Sequence, residues 1–332
     1  MRVTQDNKTD RQACPQSRWL LVAPFLGLAG LFGVYFGFWH FAGQKVLAVL
    51  QENGTQWEQA KASGFPARLT LDIDRPAWAD ETMRWQNDAL RLTVMPWRPN
   101  HAVLDMKGAH KIALPRGDIT IRHAGNMASA VVDLTGPLRL AFELQKPDAR
   151  FAFGGTGVTM RADSFAAFLR RRIDAPGNGG APRYDMALRG RNLVIDDNAP
   201  LPRFDMQLDI PAAMLGGMEN IAQFSGQQIG VEKLTLERRN VTLLGKGVLR
   251  FGADGLMAGQ LDFDVVNLVA LLETLEEFGL ADRRDRKRLL FLAGLASALT
   301  GKTGDRLSVP LIFQNGRSMI GSLDIGSAPR WR

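Results

Sequence analysis

The sequence predicts an α+β fold: an N-terminal transmembrane helix, then a large antiparallel, curved β-sheet or sheets with a few covering helices. Three observations lead there. Residues 19–42, WLLVAPFLGLAGLFGVYFGFWHFA, contain no Asp, Glu, Lys or Arg. The rest is dominated by short runs that alternate apolar and polar residues, the pattern of strands with one wet face. Turn residues separate those runs by few positions, and connections that short join antiparallel neighbours, because parallel strands need long crossovers.

The apolar stretch comes first. At about 1.5 Å rise per residue a helix of this length spans roughly 36 Å, enough for a hydrocarbon core of about 30 Å. It is too long for the apolar region of a cleaved signal, and its exit, Trp39-His40-Phe41-Ala42, lacks the small residues of a cleavage site. Arg2, Lys8, Arg11 and Arg18 precede it and only Lys45 follows closely. That asymmetry keeps the N-terminal tail (1–18) in the cytoplasm and sends the body across. The expected location is therefore the inner membrane, single-pass, with the C-terminal body in the periplasm. The sole cysteine, Cys14, lies in the tail, so the body has no disulfide and no thiolate metal site. Hydrophobic residues make up 45% of the 332, enough for a substantial core. The net charge of +7 is diffuse over that length and argues against nucleic acid as a partner.

Residues 43–63 continue the helical spacing through Val46, Leu47, Leu50, Trp57 and Ala60 and predict a helical stalk. A β-rich segment, 64–175, follows. Leu69, Leu71 and Ile73 alternate with Thr70, Asp72 and Asp74, and further strands are expected at 90–94, 103–106, 111–114, 119–122, 130–134, 138–144 and 151–160. Asp163 or Ser164 is placed to cap a terminal helix over 164–173, with Phe165, Phe168 and Leu169 as its apolar face. The Gly- and Pro-rich run 175–182 marks the clearest internal boundary.

The second β-rich segment, 183–332, opens with a short repeat. Pro182-Arg-Tyr-Asp-Met-Ala-Leu188 returns as Pro202-Arg-Phe-Asp-Met-Gln-Leu208, which suggests two equivalent strands of a meander. Strands follow at 233–237, 241–251 and 259–265. Then comes a helical pair over 267–300, capped by Asn267, and a closing hairpin around Asn315–Gly316, a strong hairpin signal.

Three stretches together carry a resemblance: GFPARLTLDIDRPAW (64–78), the sheet-and-helix run 243–280, and LSVPLIFQNGRSMIGSLDIG (307–326). With an N-terminal anchor they resemble domain of unknown function 2125, an uncharacterised bacterial envelope family, over most of residues 40–330. The resemblance implies an exported, inner-membrane-anchored β-rich protein of Gram-negative cells and supplies no activity and no catalytic residues. At the level of architecture alone the chain is also similar to envelope proteins that hold lipid in a long curved sheet.

No catalytic or cofactor motif emerges, and the chain reads as a non-enzyme without cofactor. GxSxG, phosphate-loop and HExxH patterns are absent, and Gly154, Gly155 and Gly157 lack the spacing of a dinucleotide fingerprint. His101, His110 and His123 lie nine and thirteen residues apart, matching no ligand pair, and read as surface or packing residues. Asp72/Asp74, Asp196/Asp197 and Asp262/Asp264 read as solvated carboxylates. The candidate contacts are instead basic and apolar. Arg170, Arg171 and Arg172, with Arg283, Arg284, Arg286, Lys287 and Arg288, are placed to meet lipid headgroups. Leu289, Leu290, Phe291, Leu292 and Leu295 form an apolar helix too short to span a bilayer and therefore available to a groove or a partner. The expected function is binding or transfer of lipid or another apolar envelope molecule. The alternative is a structural protein of the envelope that docks a partner through 289–299.

Overall fold

A computed structural model describes residues 19–81, 83–115, 117–134, 136–172, 182–196, 198, 200–215, 225–252, 254–267, 269–271, 273, 306–320 and 323–328. One long helix, α1 (Trp19–Glu52), precedes a body of antiparallel strands. Asn53 and Gly54 end the helix, with the Asn53 amide on the Val49 carbonyl and Gly54 at φ 82°. The chain then forms β1 (Thr55–Gln56), β2 (Gln59–Ser63) and β3 (Leu69–Asp74). The helical stalk expected over 43–63 is thus helical only to Glu52. Beyond it Gln59–Ser63 alternates and pairs with β3, and cross-strand pairing outweighs a helical spacing carried by a few small residues.

Hairpins then alternate between two layers. β4 (Ala77–Ala79) and β5 (Arg84–Gln86) are followed by β6 (Ala89–Met95) and β7 (Arg98–Lys107). Next come β8 (His110–Leu114) and β9 (Gly117–Arg122), then β10 (Gly125–Asp133) and β11 (Gly136–Gln145). The last such pairs are β12 (Asp148–Phe153) with β13 (Thr156–Arg161), and β14 (Ser164–Arg171) with β15 (Arg183–Ile195). A plain meander closes the body: β16 (Leu201–Pro211), β17 (Gln228–Arg238), β18 (Val241–Phe251), β19 (Met257–Val266), β20 (Arg306–Gln314), β21 (Arg317–Ile320) and β22 (Leu323–Ser327).

The main sheet runs β2–β3–β6–β7–β10–β11–β14–β15 and continues in chain order to β22. A smaller sheet runs β1–β4–β5–β8–β9–β12–β13 and joins the main one at the end of β15. The combined sheet is not closed. The expected class, an apolar N-terminal helix and a large antiparallel sheet with few helices, is what the chain adopts.

A crease separates the layers. Each passage from main to small sheet turns on one residue with positive φ: Arg75 (47°), Gly108 (83°), Lys146 (46°) and Asn192 (50°). Three return passages, at Asn87–Asp88, His123–Ala124 and Ala162–Asp163, contain no such residue, while the fourth, from the end of β15 to β16, begins with Asp196 at φ 48°. A left-handed residue breaks the pleat and re-aims the strand, which is how chains change sheet at a corner. Backbone bonds bridge the crease: the Arg75 amide donates to Asp88, Lys146 to Asp163, and Asp163 to Arg191. The core lies against it. Leu71, Ile73, Pro76 and Pro147 are fully buried, and Leu144, Ala149 and Leu193 nearly so.

The helix expected over 164–173 is strand β14. Its Phe165, Phe168 and Leu169 fit a helical face, but SFAAFLRR also alternates, and β11 and β15 clamp it along both edges. Asp163, expected as its cap, instead accepts the Lys146 amide on its carbonyl and the Asn192 side chain on its carboxylate. Because β14 pairs with β15, the sheet runs on across the Gly- and Pro-rich run, of which 173–181 lie outside the described residues. The two repeat copies fall on β15 and β16, which pair with each other, so the second copy is itself the return strand of the first. Asn267 caps as expected, its Oδ1 accepting the Ala270 amide; residues 274–300 of the helical pair lie outside the described residues. The closing hairpin turns on Asn315 (φ 53°) and Gly316 (φ 73°), both left-handed, as a two-residue turn of this type requires.

Two substitutions separate packing from corner geometry. Leu71→Ala empties a fully buried site and is expected to cost about 2–5 kcal/mol in urea unfolding. Lys146→Gly relieves a left-handed side chain and is expected to be neutral or stabilising by about 0.5–1 kcal/mol.

Candidate functional site

Cross-strand register stacks the apolar residues of the main sheet into rows on one face. One row begins with Ala62, Leu71, Leu92 and Leu104. It passes through Ala128, Phe142, Ala167 and Leu188. It ends with Met206, Leu234, Gly245, Phe263 and Val309. A second row, one pleat away, begins with Leu69, Val94, Ala102 and Ala130, and continues through Leu140, Leu169, Met186 and Leu208. It closes with Val231, Gly247, Leu261, Leu311 and Ile320. Each row crosses thirteen strands without a polar side chain. At about 4.8 Å per strand the floor they form extends roughly 60 Å.

α1 covers only its beginning. Trp39, Val46, Leu47 and Leu50 pack with Leu69, Leu71 and Ile73. Farther along, most of the floor is half-buried, with Leu140 exposed and Val231 and Gly245 buried. A groove of 390 Å³ lies over β7, β10, β11, β14 and β15, lined by Leu104, Leu140, Phe142, Leu169, Met186 and Leu215 among others. Its walls are almost wholly apolar, so it offers dispersion contacts and dry surface but few hydrogen-bond partners.

The opposite face is ionic. Arg91 meets Asp72 at 2.6 Å, Arg189 meets Asp205 at 3.4 Å, and Arg203 reaches both Asp205 (2.8 Å) and Glu237 (3.5 Å). Opposite charges on neighbouring strands mark this side as the wet one. Asp264 accepts from the Ser308 hydroxyl, Asp262 from the Gln260 side chain, and Asp196 from the Thr159 amide. Gly154 and Gly155 form the β12–β13 turn.

The arginines at the end of β14 are paired with acids. Arg170 meets Asp185 at 3.3 Å and Arg171 meets Asp133 at 3.0 Å. Arg172 bridges Asp185 (3.3 Å) and Asp209 (3.0 Å). Arg170 and Arg171 lie on a strand and Arg172 just past it, not in the last turn of a helix, so pairing with acids of other strands takes the place of a helix-end charge. Arg283, Arg284, Arg286, Lys287 and Arg288, with Leu289, Leu290, Phe291, Leu292 and Leu295, lie outside the described residues.

Sequence spacing missed one cluster. His110 and His123, thirteen residues apart, meet across the crease with their Nε2 atoms 3.1 Å apart. The Asn126 side-chain amide lies 3.5 and 3.4 Å from the same two atoms, and its Oδ1 accepts the Met106 amide. The only available signal was that both flank corners of paired strands β8 and β9, which shows once the register is known. Trp85 and Phe142 flank the His110 ring. Burial first, and then the neighbouring His123, depress the His110 pKa to about 4, against an opposing pull from Asp88. Burial also lowers His123, with Asp105 opposing. Among the described residues no group of three or more His, Cys, Asp or Glu could hold a metal ion.

A histidine whose folded pKa lies below its unfolded value of about 6.5 stabilises the fold fully above that value. The contribution is lost as pH falls from about 6.5 towards about 4. Thermal melts between pH 7 and 4.5 are expected to show this acid limb, flattened in His110→Gln and flatter still when His123→Gln is added.

The sequence model of the DUF2125 family, described as an uncharacterized protein conserved in bacteria, matches residues 44–329. No curated protein and no solved structure matches the chain.

Proposed function

The chain belongs to the DUF2125 family, which brings it no activity, and from its geometry we propose a membrane-anchored, non-enzymatic protein that binds or passes lipid along the apolar floor. The carrying observation is the pair of uninterrupted apolar rows, which among the described residues α1 covers only over the first strands. An ordinary one-sided sheet hides such a face under helices, and apolar surface left in water costs about 25 cal/mol per Å². A long hydrocarbon chain matches an elongated groove with few polar partners.

The anchor supports the same reading. α1 is the one helix among the described residues long and apolar enough to cross a membrane. Its exposed Phe25, Leu28, Leu31 and Val34 would face lipid. Its later residues pack on Leu69 and Leu71, where the floor begins, so a lipid leaving the outer leaflet of the inner membrane meets apolar surface at once. The cations before the helix favour a cytoplasmic tail and a periplasmic body.

Two measurements test this. A photoreactive side chain at Leu140 or Leu169, on the full chain in membranes, is expected to give lipid adducts, while one at Arg139 or Arg170 on the opposite face gives few. Equal yields on the two faces would refute lipid binding by the floor. In cells with a permeabilised outer membrane, an impermeant maleimide is expected to spare Cys14 and to label Thr156→Cys in a Cys14→Ser background; the reverse pattern would invert the topology.

A further inference from the structure

We propose that the hairpin tips at one end of the main sheet, led by the Met95–Arg98 turn, seat in the interfacial layer of the membrane that α1 enters. The inference rests on reading α1 as a membrane span but not on lipid occupying the floor.

The first of these tips already lies on the helix. Between β2 and β3, Gly64–Arg68 reaches back along α1. Phe65 packs edge-on against Phe32 and Phe36, with ring centroids 5.0 and 5.1 Å apart, and against Trp39 at 5.7 Å. The Tyr35 hydroxyl donates to the Pro66 carbonyl (2.5 Å) and the Trp39 indole to the Arg68 carbonyl (3.0 Å). Phe32 through Trp39 belong to the stretch that carries no charge. A loop held there is held at membrane depth.

Register extends the argument to the next tips. α1 and β3 run the same way: Trp39 meets Arg68, Gly43 lies against Leu69, and the Trp78 indole donates to the Asn53 carbonyl. Leu69 pairs with Val94, Val94 with Ala102 and Ala102 with Ala130. The β6–β7 and β10–β11 turns therefore project from the same end of the sheet as Phe65. Those two turns carry the two most exposed large apolar residues of the described body, Trp97 at 66% and the fully exposed Leu134.

Composition separates this end from the other. The tips near α1 read Phe65-Pro66-Ala67-Arg68, Met95-Pro96-Trp97-Arg98 and Asp133-Leu134. Aromatic rings beside arginines are the side chains that settle at headgroup level, the ring in the interface and the guanidinium in water. The single acid, Asp133, is paired with Arg171 at 3.0 Å. The turns of the small sheet instead carry Asp80-Glu81, Pro115-Arg116 and Gly154-Gly155, with no aromatic ring among them, and the acids of the first are repelled by an anionic surface. With about 20–25° of twist per strand, the Trp97 tip stays within roughly 35° of β3 and the Leu134 tip turns away by roughly 80°. Depth should therefore fall from Trp97 to Leu134.

The test uses the full Cys14→Ser chain in phosphatidylethanolamine–phosphatidylglycerol nanodiscs, with an environment-sensitive fluorophore on single cysteines and spin-labelled lipids as quenchers. Met95→Cys, which retains Trp97, and Trp97→Cys are expected to be quenched by a shallow label about twofold or more above Thr156→Cys, with Leu134→Cys between them. Val34→Cys, within α1, is expected to be quenched by a mid-chain label. If Val34 is quenched while positions 95 and 97 match 156, the seating proposal is overturned and the anchor stands. If Val34 is not quenched, the span fails and the proposal with it. A lipid-free floor in the photocrosslinking experiment would leave these outcomes unchanged.

Discussion

Register is the constraint on which the rest of this structure depends. Side chains alternate across a strand, so a slip of one residue anywhere in the meander would carry the Leu, Phe and Met of one strand to the ionic face of the next. Phe142 faces Ala167, which faces Leu188, which faces Met206, and one row of this kind holds over thirteen strands. Where a bulge intervenes, as between Val231 and Leu234, both flanking residues remain in the apolar rows. The ionic face enforces the same register from the other side, since Arg91 finds Asp72 and Arg189 finds Asp205 only in this alignment.

The crease exploits that register. Four left-handed residues send alternate strands into the second layer without interrupting the ladder, and the buried core gathers against the fold line. The same line brings His110 and His123 into contact. Beyond β15 the described residues make no further crossings into the small sheet, and the main sheet continues in chain order to β22. Among the described residues the sheet is thus creased and two-layered beside α1 and a plain meander away from it, with one apolar surface common to both.

Much of the strand content was legible from alternation. The run Leu69–Asp74 and the Asn315–Gly316 turn need no tertiary information, because each carries a local signal that its neighbours do not contradict. The failures have equally local causes. SFAAFLRR satisfies both a helical and an alternating pattern, and only the presence of β11 and β15 on its two sides decides between them. Gln59–Ser63 has too few large apolar residues to declare its period and takes it from β3. The arginines of 170–172 looked like free cations because their acids, Asp133, Asp185 and Asp209, lie on other strands.

By itself the sequence determined that an apolar helix of spanning length leads the chain and that an antiparallel sheet with one greasy face follows, since composition and periodicity are properties of neighbours in the chain. Only tertiary structure decided that the greasy faces join into one floor, that it starts on α1, and that certain strands bend at a shared crease. Those depend on which strands pair and in what register, and pairing energy is gained between residues far apart in sequence, where no local pattern records it.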